Sequence, residues 1–191
     1  MARVRFKINY EKCIQGMQFL ANKKPGITQY YVGKVFFFAD REHLLDWGRP
    51  ISGDRYVAME HGPVPSGIYN LVKNDSGMPD ELLDLMRDRI LFENEHNKIH
   101  LFSNDEKLDF SALSGTDMEY LADSLATYGN MSFGKLREIS HRDAAYEAAW
   151  RNAGMNNEMN PHFWLAELGD ADVVLSSLMD TPMIDRTATR R

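Results

Sequence analysis

The sequence predicts a mainly α-helical, compact single domain with a small antiparallel β-sheet of about three short strands, a hairpin among them. Three observations carry this expectation. Apolar residues recur at three- and four-residue steps through most of the chain. Period-two alternation is confined to a few short segments. Proline, glycine and capping residues interrupt both patterns at close intervals. For 191 residues, one well-buried core is the natural solution. Residues 1–180 are therefore expected to form the domain and residues 181–191 a flexible tail.

The first helix is expected to start at Asn9, an N-cap residue, and to run to Lys23 with Tyr10, Cys13, Ile14, Met17, Leu20 and Ala21 on one face. Pro25-Gly26 ends it. A second helix runs from Thr28 to Gly48, where glycine suits the left-handed position after the last turn. Val32, Val35, Phe36, Ala39, His43, Leu44 and Trp47 form its main stripe, and Tyr31, Phe38 and Leu45 a second one. A helix apolar over so much of its girth is expected at the centre of the fold.

The run Arg55 to Glu60 reads as a short strand. Gly62-Pro63-Val64-Pro65 follows and reads as a rigid, exposed connector, because closely spaced prolines interrupt both helix and ladder. Pro65 opens a helix carrying Ile68, Leu71 and Val72, and Pro79 to Arg87 suggests another. Ile90–Glu93 and Lys98–Phe102 flank a polar tetrad as a hairpin does. With the Arg55 strand they would make a three-stranded sheet. Helix starts are then expected at Thr116 with Glu119 and at Ser140 with Asp143, both at capping-box spacing. Asn160-Pro161 marks another, and a last helix spans Asp170 to Met179.

The net charge of −6 works against a dedicated nucleic-acid binder. A single cysteine, Cys13, leaves no partner for a disulfide or a thiolate zinc site. No apolar run approaches a membrane span, and no signal-peptide core follows the basic start, so a cytoplasmic location is expected. Phosphate-binding glycine motifs and a nucleophile elbow are absent, so neither a cofactor nor a catalytic residue is expected. A metal-dependent enzyme rests only on Asp40 and His43, one helical turn apart, with His61 or His141 completing a site. Structural hydrogen bonding accounts for these residues better. His141, Tyr146 and Trp150 are expected on one helix, as core rather than binding surface.

Val35-Phe36-Phe37-Phe38-Ala39-Asp40 followed by Gly48-Arg49-Pro50-Ile51-Ser52-Gly53-Asp54-Arg55-Tyr56 and by His61-Gly62-Pro63-Val64-Pro65 closely resembles the Panacea (SocA-like) family. Its members end an apolar helix in Phe-Ala-Asp and continue with Gly-x-Pro-Ile/Leu-Thr/Ser-Gly-Asp-x-Tyr and Gly-Pro-Val-Pro. Ser140-His141 upstream of Trp150 resembles the family's later motif. The resemblance spans about residues 9–152 and marks Asp40, Gly53, Asp54, Tyr56, Gly62, His141 and Trp150 as motif residues. It implies an antitoxin that binds and neutralises a cognate protein toxin encoded beside it. Family members meet unrelated toxins, and one acts as an adaptor delivering its toxin to a protease, so a proteolytic adaptor is the alternative. The resemblance supplies no catalytic residue.

A partner surface is expected on the stiff His61–Pro65 segment, through His61, Pro63 and Pro65, with Tyr69 as an aromatic anchor. Acidic residues near the motif, Asp40, Glu42, Asp54 and Glu60, are candidates to match a basic toxin surface, Glu42 and Glu60 above the others.

Overall fold

The computed structural model describes residues 4–151, 157–168, 171–179 and 181–185. Helix α1 (Tyr10–Lys23) begins at Asn9, whose side chain accepts the Lys12 N–H at 3.0 Å. That bond satisfies one of the amide donors left open in a first helical turn. After the two-residue strand β1 (Ile27–Thr28), α2 (Gln29–Trp47) ends at Gly48, whose φ of 68° and N–H bond to Leu44 O close the helix.

Helix α2 is buried without interruption from Val32 to Asp40. Its position explains why. Val32, Val35, Phe36 and Ala39 join a cluster with α1 and with Ile27, Ile68, Leu71, Ile90 and Leu101. Phe37, Phe38 and Leu44 join a second cluster with Tyr56, Leu136, Tyr146 and Trp164. Phe36, Phe37 and Phe38 therefore serve two clusters, which a one-sided helix has no use for. Trp47, expected on the stripe, is 58% exposed because it lies in the last turn, past the packed part of the helix.

Strand β2 (Tyr56–Met59) turns through Glu60-His61 into β3 (Gly62–Pro65), with Met59 facing Gly62 and Tyr56 facing Pro65. The Gly62–Pro65 segment is thus an edge strand rather than the expected exposed connector, with Gly62, Pro63 and Pro65 buried. Proline is excluded from a ladder only where its nitrogen would have to donate. Pro63 and Pro65 occupy alternate positions whose nitrogens face away from β2, while Gly62 and Val64 supply the paired amides. Gly62 is buried with φ 97°, and a Cβ there would lie 2.5 Å from Ser140 Oγ and 2.8 Å from Lys34 Nζ. Only glycine fits that corner.

Helix α3 (Ser66–Val72) follows directly, then α4 (Asp80–Arg89) and the hairpin β4 (Ile90–Glu95) and β5 (Lys98–Ser103). The hairpin does not take β2 as its third strand. Its open edge, on β5, pairs with β1, and β2 pairs instead with β6 (Asn157–Glu158), giving two three-stranded antiparallel sheets. Ile90 and Leu101 belong to the first cluster and Tyr56 and Ala58 to the second, so the two sheets cover different cores.

Helix α5 (Gly115–Tyr128) is capped by Ser114 and Asp117 rather than Thr116 and Glu119. Ser140 lies buried near the end of α6 (Phe133–His141), bonded to Arg137 O, and starts no helix. Asp143 instead accepts the Tyr146 N–H at the head of α7 (Ala144–Arg151). Asn160 accepts the His162 N–H at the start of α8 (His162–Leu165). Helix α9 (Ala171–Met179) follows, and its expected first residue, Asp170, lies outside the described residues. The tail expected from Thr181 is packed as far as Asp185: Ile184 is buried and bridges Phe6. Residues 186–191 lie outside the described residues.

Candidate functional site

The motif after α2 folds around two buried carboxylates. Asp40, in the last buried turn of α2, accepts the N–H groups of Ile51 and Ser52 at 2.8 Å each, the Tyr56 hydroxyl at 2.7 Å and the Ser52 hydroxyl. Burial still pushes its pKa up against these four bonds. Gly53 has φ 67°, and a Cβ there would meet Lys7 O at 2.3 Å, so glycine lets the chain pass the N-terminal segment. Asp54 does more than close a turn. Besides the Arg55 N–H, its carboxylate accepts Gly67 N–H and Ile68 N–H, both at 2.9 Å, from the first turn of α3. Burial pushes its pKa up to about 6. Asp40 and Asp54 are therefore buried fasteners, and both are withdrawn as charges a partner could touch.

His43 and His141, weighed as metal ligands, are likewise engaged by neighbouring groups, whereas His61 is exposed. His43 donates from Nδ1 to Arg49 O at 2.8 Å, which leaves Nε2 to accept the Thr116 hydroxyl at 3.0 Å. Burial lowers its pKa, in keeping with a neutral ring. Nearby, Arg49 pairs with Asp117 at 2.9 Å, tying the end of α2 to α5. His141 stacks on Tyr146 with ring centroids 4.5 Å apart, and Tyr146 stacks on Trp150 at 5.8 Å. These three span α6 and α7 rather than one helix. Among the described residues no group of three His, Cys, Asp or Glu side chains is placed to hold a metal ion.

A cavity of about 410 Å³ opens beside the β2–β3 turn. Its lining includes Met59, Glu60, His61, Pro63, Val64 and Pro65 from the turn and edge strand, Ile68 and Tyr69 from α3, and Gln29, Tyr30, Gly33 and Lys34 from the start of α2. It is mostly apolar. Phe133, 45% exposed, packs its ring 4.8 Å from Tyr30 and 5.3 Å from His61. Tyr69 is 39% exposed. The structure thus brings Glu60, His61, Pro63, Pro65 and Tyr69 together around one concavity, with Glu60, His61 and Tyr69 exposed and Pro63 and Pro65 buried. Glu42 is not among the lining residues and is held by the neighbouring Arg41.

Sequence reasoning passed over Lys34. It is 2% exposed, donates from Nζ to Pro63 O at 2.7 Å and lies 5.1 Å from the centre of the Tyr30 ring. Burial alone drives its pKa down from 10.5 to about 7. The available signal was a lysine inside the apolar run Val32 to Ala39. Arg137, which donates from Nε to Glu60 O at 3.1 Å, was missed as well.

A family model described as "Antitoxin SocA-like, Panacea domain" matches residues 32–147, from α2 into α7. No curated protein and no solved structure matches the chain. Among the described residues, no helix is long and apolar enough to cross a membrane.

Proposed function

The chain belongs to the SocA-like Panacea antitoxin family, and from that premise we propose that it is a cytoplasmic antitoxin that binds a cognate protein toxin directly and neutralises it by occlusion. The supporting observation is the cavity beside the β2–β3 turn, which gathers His61, Pro63, Pro65 and Tyr69 on stiff elements. A preformed apolar concavity with half-exposed aromatics at its margin suits a protein partner, because little ordering entropy is lost on docking. Edge strand β3 would not dock the toxin by strand addition, since its outward nitrogens belong to prolines and cannot donate. Contact falls to side chains, with Tyr69 as anchor. Glu60, and Glu42 at a distance, would contribute charge to a toxin with a basic surface.

The test is co-expression with the product of the adjacent gene in a growth assay. Restored growth with the intact chain, reduced by changes at His61 and Tyr69, is the expected outcome. Growth arrest unrelieved by the intact chain contradicts the proposal. Rescue that disappears when the host's ATP-dependent proteases are deleted would instead identify the proteolytic adaptor.

A further inference from the structure

The polar groups around the cavity beside the β2–β3 turn are donors short of acceptors. Lys34 Nζ carries three N–H bonds, and its partners among the described residues are one carbonyl oxygen and one aromatic face. Tyr30 Oη and Gln29 Nε2, on the same lining, are buried without a hydrogen-bond partner among the described residues. Arg137 bonds the turn through Glu60 O, and burial, Arg137 and Lys34 together lower the pKa of the nearby His141. Two basic side chains, Lys34 and Arg137, thus meet this turn of an acidic chain. The acid beside them on the turn, Glu60, is exposed and makes no ion pair with Lys34 or Arg137. A buried ammonium without a carboxylate is costly to a fold, and Lys34 shares the cavity lining with Gly33, Pro63 and Pro65.

We propose that this cavity receives an aspartate or glutamate side chain of the partner protein, carried on an apolar segment, with its carboxylate against Lys34 Nζ and its apolar neighbours against Met59, Ile68 and Tyr69. The inference rests on the reading that the chain binds a protein. A chain terminus fits less well, because terminal carboxylates are captured by clustered backbone N–H groups, and the prolines of β3 offer none. Nucleic acid fits less well too, since the cavity is apolar and the chain carries a net charge of −6. The incoming carboxylate supplies the acceptor that Lys34 lacks, in a site screened from water, where charge-assisted bonds are strongest.

The full chain, labelled with ¹⁵N, is titrated at mildly acidic pH with pooled blocked tripeptides acetyl-X-Glu-X-amide, X being Leu, Phe or Val. The matching Gln pool and a pool of acetyl-X-Gln-X free acids serve as comparisons. The amides of Gly33, Lys34, His61, Gly62 and Tyr69 should move with the Glu pool at concentrations about tenfold lower than with the Gln pool, the size of one charge-assisted hydrogen bond. Lys34→Met should erase that difference. Equal responses to Glu and Gln, no movement of these amides, or an advantage that survives Lys34→Met would overturn the proposal. A stronger response to the free acids would overturn it in favour of a chain terminus. The Glu–Gln comparison on the unaltered chain decides even if the variant does not fold. No toxin enters the titration, so a negative result here and a failed rescue in co-expression are read independently.

Discussion

Replacing Lys34 with methionine is expected to stabilise the isolated protein at neutral pH, and to do so less as pH rises. Burial brings the Lys34 ammonium down from 10.5 to about 7. Holding it in the folded state at neutral pH therefore costs about 4 kcal/mol relative to the solvated lysine of the unfolded chain. The Pro63 O bond and the Tyr30 ring, which methionine cannot replace, offset about 2 kcal/mol of this. A net gain of about 2 kcal/mol remains, or about 5 °C in Tm for a domain of this size. Between about pH 7 and 10.5 the folded state binds fewer protons at Lys34 than the unfolded state does, so this group makes the wild-type protein more stable as pH climbs through that window. Methionine has nothing to titrate, and the two proteins should converge near about pH 9. Paired thermal melts at neutral pH and two units higher measure both effects. A variant less stable at neutral pH, or a Tm difference independent of pH, refutes the assignment of Lys34 as a buried, strained cation.

Further outcomes follow from the same contacts. Asp54, raised from 3.8 to about 6, binds more protons folded than unfolded between those values, so its contribution to stability grows as pH falls through that window. Urea unfolding of Asp54→Asn across the range should lack that part of the slope. Asp40→Ala strands two backbone amides and two hydroxyls in the interior and should cost about 4 kcal/mol by chemical denaturation. Tyr69→Ala should weaken toxin binding by about tenfold or more while moving Tm by only about 2 °C. A large fall in Tm would place Tyr69 in the core instead.

Helix α2 was legible in the sequence almost to the residue, because its apolar girth and the Gly48 stop are local signals. Asn9 at the head of α1 was legible for the same reason. What escaped depended on register or on distant partners. Thr116 and Ser114 both offer capping spacing, and only the fold shows Thr116 engaged by His43 and Ser114 left to cap. The β2–β3 ladder was hidden by its prolines, which mark a break unless their alternation with paired amides is recognised. Strand pairing across sheets was hidden because β1 and β6 have two residues each and carry no periodicity. His61, Pro63, Pro65 and Tyr69 could be gathered from the sequence as neighbours along the chain. Lys34 could not, since the cavity that makes it notable forms only when α2 meets β3.

The central claim is direct neutralisation, and a titration of toxin activity tests it most closely. Purified toxin from the adjacent gene is assayed while the intact chain is added stepwise, with no protease present. Activity should fall linearly to a plateau at a fixed molar ratio, and the Lys34→Met and Tyr69→Ala variants should need a clear excess to reach it. Toxin activity that stays constant through a molar excess of the intact chain would contradict the account.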